Sequence, residues 1–158
     1  MSLALGEARR ALDSGEAPIG CVLLDEHGTE LGRGHNSMFA TGNLIAHAEM
    51  NAFTAAAGRI PEGAKIVMVS TLEPCVMCTG AAMQSGVVEI VFGLAAPADA
   101  GTSRVYPPDS PSATAPRIIG GVEADDSRDL FLQWLDKHRS DTSRDSQREF
   151  IDQLMSLT

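Results

Sequence analysis

Apolar positions recur at helical spacing over residues 3–14, where Leu3, Ala4, Ala8, Ala11 and Leu12 share one face and Gly15 supplies a stop. The pattern then changes period. Residues 18–24 form a short β-type apolar run, Asp25-Glu26-His27-Gly28 reads as a turn, and residues 29–34 complete a hairpin. Residues 35–45, punctuated by Asn36, Gly42 and Asn43, read as loop. An alanine-rich helix is predicted over residues 46–57 and a strand over 65–70. Pro74 opens a second internal helix over 75–85, with Gly86 as its stop. A strand over 87–92 precedes a long irregular segment, 93–116, rich in Ala, Pro, Ser, Asp and Gly. A further strand is predicted over 117–122. Asp125 or Asp126 then caps a helix whose apolar face is Leu130, Phe131, Trp134 and Leu135. Residues 139–145 are polar, and 149–157 close with a stripe of Phe150, Ile151, Leu154 and Met155.

This order of elements predicts an α/β sandwich, one mixed sheet covered by helices. The chain divides into a main domain, 1–138, and a tail helix, 139–158, that could serve as a lid over a site.

Composition narrows the function classes. At 158 residues and 44% hydrophobic, the chain suits one domain with a real core. No apolar run reaches membrane-spanning length, and Glu7, Arg9 and Arg10 interrupt the N-terminal segment where a signal peptide would need an unbroken apolar stretch. A cytoplasmic protein with no membrane partner is expected. Lys and Arg total 12 against 21 Asp and Glu, a net charge of -9. That field disfavours an extended nucleic-acid footprint, and 4% aromatic content leaves few stacking platforms. Three cysteines are too few for a disulfide framework, and Cys21, inside PIGCVLL, reads as core.

The chemistry concentrates in two short segments. His47-Ala48-Glu49 opens one predicted helix, and Pro74-Cys75-Val76-Met77-Cys78 opens another. Cys75 and Cys78 are i and i+3, so their sulfurs share a helical face in a first turn, where unpaired N–H groups favour thiolate. One histidine nitrogen completes three ligands. Three protein ligands with a fourth position open is the pattern of a catalytic zinc rather than a structural one. Glu49 stands two residues from His47, about 200° around an ideal helix, so both face one site only if that site lies at the helix end. A carboxylate there can carry a proton to and from a water acidified by the metal. The CxxC alone would also suit a redox pair, and HAE alone an ordinary first turn. Joined as HAE, then a strand, then PCxxC, they make the signature of zinc deaminases.

At these residues the chain resembles the cytidine and deoxycytidylate deaminase superfamily. The matching stretches are APIGCVLL, GRGHN, AHAEMNAF, STLEPCVMCTGAA and VFG. The likeness is greatest to the branch holding guanine deaminases, fungal-type cytosine deaminases and tRNA adenosine deaminases. It implies a three-layer sandwich with a five-stranded mixed sheet between helices. It further implies Zn²⁺ on His47, Cys75 and Cys78, with Glu49 as the catalytic proton shuttle. Substrate contacts are implied at Asn36 and Ala48, and in the tail at Phe150 and Asp152, an aromatic ring and a carboxylate. Glu73 also matches the family motif, although a carboxylate at a helix start can equally support the helix dipole. The activity implied is hydrolysis of a C–N bond in a cyclic amidine, with loss of ammonia, by a homodimer.

Departures from the tRNA-deaminase pattern point toward a small nucleobase or nucleoside of guanine or cytosine type. After VFG stands LAAPADAGTSRVYPPDSP rather than a basic segment, and residues 140–158 carry four acids against Arg144 and Arg148. A tRNA adenosine deaminase is the alternative within this class. A noncatalytic zinc-stabilised interaction module is the alternative outside it, one that would have no need of Glu49.

Overall fold

The computed structural model describes every residue except Ser112 and Thr114. Helix α1 (Ser2–Asp13) leads into the hairpin β1 (Gly20–Leu24) and β2 (Glu30–His35). A one-turn helix α2 (Met38–Thr41) and helix α3 (Ala48–Ala56) follow, then β3 (Ile66–Leu72), α4 (Val76–Gln84) and β4 (Val87–Leu94). After the irregular segment come β5 (Arg117–Ile119), α5 (Ala124–Lys137), a 3₁₀ turn at Thr142–Arg144 and α6 (Asp145–Leu157). The strands lie in the order β2-β1-β3-β4-β5. β1 is antiparallel to both β2 and β3, whereas β3, β4 and β5 run parallel. The expected five-stranded mixed sheet between helices is therefore observed.

Each face of the sheet buries its own core. On one face Ala48, Ala52 and Ala56 of α3 pack with Cys21, Leu23, Met68 and Ile90. On the other, Leu5, Ala8 and Leu12 of α1 pack with Phe131 and Trp134 of α5 and Ile151 and Leu154 of α6. α3 sits unusually close to β2. A Cβ on Gly34 would come within 2.5 Å of the Ala52 nitrogen, and one on Gly32 within 2.6 Å of the Ala52 oxygen. Glycine in the strand and alanine on the helix therefore bring backbone to backbone.

α1 ends as its sequence predicts. Gly15 is left-handed at φ 81°, its N–H bonds to the Leu12 carbonyl, and the Glu16 N–H bonds to the Ala11 carbonyl. This is a Schellman turn. Trp134 Nε1 and Lys137 Nζ of α5 donate to the Gly15 and Leu12 carbonyls, tying the two helices together.

Three expectations are corrected. Residues 35–45 are not all loop: Met38–Thr41 forms α2, stabilised by bonds from outside the segment, as described below. The last helix begins at Asp145, four residues before the expected start at 149, because a polar first turn carries no hydrophobic signal. The strand expected over 117–122 ends at Ile119, although the N–H groups of Gly121 and Val122 still bond to the Gly93 and Phe92 carbonyls. Among the described residues no helix is long and apolar enough to cross a membrane.

Candidate metal centre and active-site cavity

His47 and Cys75 occupy equivalent places. Each is the N-cap of its helix, in extended conformation, just before the first turn of α3 and of α4. Because His47 lies off the helical spiral, it and Glu49 reach the same space despite their two-residue separation. Cys78, one turn into α4, is fully buried.

His47 Nδ1 lies 3.7 Å from Cys75 Sγ and 3.6 Å from Cys78 Sγ, and the two sulfurs are 3.7 Å apart. Tetrahedral zinc with its usual bond lengths to sulfur and imidazole nitrogen requires ligand–ligand edges of about 3.6–3.8 Å. The triangle therefore fits zinc in both donor chemistry and size. Among the described residues these three form the one cluster able to hold a metal. His35 is engaged elsewhere: its Nδ1 lies 3.0 Å from the buried carboxylate of Glu7.

The electrostatics couple the three side chains tightly, with Cys75 as the thiolate of the set. The Cys75 thiol is drawn down to about 4, first by its hydrogen bond with Cys78 and then by His47. Cys78 is pushed up by the same bond and by burial, and His47 is raised by its bond to Cys75. Burial also raises Glu49, which is only 3% exposed and whose Oε1 accepts a 2.8 Å hydrogen bond from Ser70 Oγ. Cys21 is buried beside it with its thiol pushed well up by desolvation, which bears out its reading as core.

A cavity of about 300 Å³ opens on this centre. His47, Ala48, Glu49 and Cys75 line it, as do Asn36 at the end of β2 and Phe150 of α6. Asp152 is not brought there; it is exposed and lies outside the lining. α6 is continuous through both residues, so positions two apart point about 200° apart, and with Phe150 inward Asp152 faces solvent. Ser146 and Gln147, in the polar first turn of α6, stand on the wall instead. Their only sequence signal is their spacing from Phe150.

Two further carboxylates reach the cavity. Glu73 accepts from the Ala96 N–H at 3.0 Å and from the Thr102 hydroxyl, pinning the segment after β4 against the start of α4. Asp99, from that same segment, lies at the rim near Cys75 and His47. The segment fits because residue 101 is glycine: a Cβ there would stand 2.4 Å from the Cys75 carbonyl oxygen.

Residues 1–94 match the model of the cytidine and deoxycytidylate deaminase zinc-binding region. The chain is 37% identical to tRNA(Ile)-lysidine synthase of Deinococcus deserti, over 84% of its own length but 26% of that protein, so it spans about a quarter of this longer relative. It is 36% identical to the tRNA-specific adenosine deaminase of Streptococcus pyogenes serotype M18, over 67% of each chain. A structure solved in a study of A-to-I editing by tRNA:A34 deaminases superposes with a TM-score of 0.69 at 28% identity, covering 82% of this chain and 96% of the other.

Proposed function

The chain belongs to the cytidine and deoxycytidylate deaminase family, and from that premise we propose that it hydrolytically deaminates a small neutral nucleobase or nucleoside of guanine or cytosine type. The observation that carries this reading is the cavity wall. Glu49, Glu73 and Asp99 line it, and no Lys or Arg is among its described lining residues. A phosphate would meet carboxylates there and no cation, whereas a flat uncharged base meets Phe150 and the amides of Asn36 and Gln147. The net charge of -9 acts in the same direction at longer range.

His47, Cys75 and Cys78 would hold the zinc. The metal supplies Lewis acidity that activates water near neutral pH. Glu49 does the proton work. Its buried carboxylate takes the proton of the attacking water and passes it to the ring nitrogen beside the carbon under attack. The leaving amine takes the next proton by the same route and departs as ammonia. Ser70 holds the Glu49 carboxyl in place through these transfers. Asn36 and Ala48 orient the base, and Phe150 covers it and excludes water.

One observation favours a second reading, deamination of adenosine in tRNA: the 36% identity to a tRNA-specific adenosine deaminase. Ammonia release from guanine, cytosine, adenine and their nucleosides, run beside inosine formation in a tRNA anticodon stem-loop, separates the two. Turnover of a free base or nucleoside with an inert stem-loop is expected. Efficient inosine formation with no small-molecule turnover would replace the first reading by the second.

A further inference from the structure

Glu16 is a carboxylate placed where carboxylates are rare, 1% exposed in the turn after α1. Nothing in the reaction uses it. Its Oε1 accepts the Ala40 N–H at 2.6 Å, and its Oε2 accepts the Phe39 N–H at 3.3 Å and the Asn36 side-chain Nδ2 at 3.1 Å. We infer that Glu16 is a positioning residue, setting the orientation of the Asn36 amide so that the cavity presents a hydrogen-bond acceptor to its ligand.

A side-chain amide is nearly symmetric in shape, so its neighbours decide which end points where. Two of the three groups on Glu16 are backbone N–H donors, which cannot accept. The carboxylate must therefore serve as an acceptor toward all three, and Asn36 can join only by turning its NH₂ toward it. Its carbonyl oxygen then points away. Asn36 Oδ1 bonds to no described group, yet the one buried side-chain polar atom without a partner among the described residues is His138 Nε2. Asn36 Oδ1 is thus not sealed in protein, and Asn36 lines the cavity. A free acceptor on the wall selects ligands that carry an N–H at that place. It also penalises ligands that present a lone pair there, since both polar atoms would then go unpaired.

Glutamine at position 16 would reverse this. Its oxygen would stay on the Ala40 N–H, the shorter of the two backbone bonds, and its NH₂ would face Asn36 at the cost of the 3.3 Å bond from the Phe39 N–H. The Asn36 amide would turn over to accept, and the cavity would gain a donor in place of an acceptor. This inference rests on the reading of the cavity as the substrate site, so its test includes a readout that needs no turnover.

The experiment compares the parent, Glu16→Gln, Asn36→Ala and the double variant, all zinc-loaded, on the base the parent deaminates best. Glu16→Gln is expected to raise KM about tenfold with kcat within about threefold. In the Asn36→Ala background the same change is expected to do nothing further to KM, because Glu16 acts through Asn36. KM effects that multiply in the double variant, or a loss confined to kcat, would overturn the inference. The second readout is nuclear Overhauser contact between the Asn36 Nδ2 protons and the Phe39 amide proton, both directed at one oxygen. It is expected in the parent and absent in Glu16→Gln; its absence in the parent would also overturn the inference. A parent that deaminates no base disproves the proposed function, while the Overhauser contact still decides the amide orientation. Should Glu16→Gln fail to fold, the parent spectrum alone gives that decision.

Discussion

His47 and Cys75 stand at the starts of two helices laid directly on the sheet, one of them pressed backbone to backbone by Gly32, Gly34 and alanine. Phe150 and Gln147 reach the same cavity from a helix that touches no strand so closely. α6 is held by Ile151 and Leu154 in the α1–α5 core, and its N-terminal end by Arg144, whose guanidinium lies 3.4 Å over the Phe39 ring. The donor triangle is thus set by main-chain geometry, where error costs backbone clashes. The opposite wall is set by a few side chains, where error costs only their contacts. A metal centre needs the first kind of support, because its bond lengths tolerate little variation. A wall against a base can use the second, because stacking is broad in geometry.

The largest expected effects lie on the rigid side. The parent should carry about one zinc per chain, and Cys75→Ala should lose it, with activity falling at least about 10³-fold. Elemental analysis checks this, and undiminished zinc in Cys75→Ala would remove that cysteine from the ligand set. Glu49→Gln should keep zinc and thermal stability yet lower kcat by about 10²–10⁴-fold, the usual worth of a general acid–base group. Activity within tenfold of the parent would reassign the proton shuttle.

Effects on the tail side should be smaller and should divide by helix face. Ile151 is fully buried, so Ile151→Ala should cost about 2–4 kcal/mol in denaturant unfolding. Phe150 is half-buried on the cavity wall, so Phe150→Ala should raise KM by about three- to tenfold with less loss of stability. The opposite division, stability lost at Phe150 and affinity at Ile151, would mean that α6 is turned over. Since Ile151 and Leu154 belong to the main core, removal of residues 139–158 should destabilise the whole domain. The tail is part of the body as well as a wall of the cavity.

The smallest effect concerns the polar connection. Burial, and then Arg144 and Lys137, hold His138 below its ordinary value. The folded protein therefore binds this proton less readily than the unfolded chain, and stability rises with pH through the window between the folded value and about 6.5. Acidification through that window should weaken the protein, and His138→Gln should flatten the slope measured by urea unfolding. An unchanged slope would mean that other groups carry it.

Much of this architecture was legible along the chain because the relevant signals are local. Cysteines three residues apart at a helix start and a glycine at a helix end each act over a few residues, and the structure shows both as read, whereas Pro74 stands one residue before the N-cap Cys75 rather than in the first turn. The candidate metal donors were readable for the same reason: Cys75 caps α4 with Cys78 three residues on in its first turn, and His47 stands at the corresponding capping place before α3. What only the tertiary structure decided are relations between distant segments. Glu16 and Asn36 meet across 20 residues, and Glu73 and Thr102 across 29. Neither pair has a periodicity to betray it. Helical phase decided the tail: Asp152 turned outward and Gln147 inward once α6 was seen to begin at Asp145. Local sequence dictates which backbone groups and side chains a segment can offer. Which distant partner takes up each offer depends on how the layers pack, because a buried polar group must be satisfied by whatever the fold brings beside it.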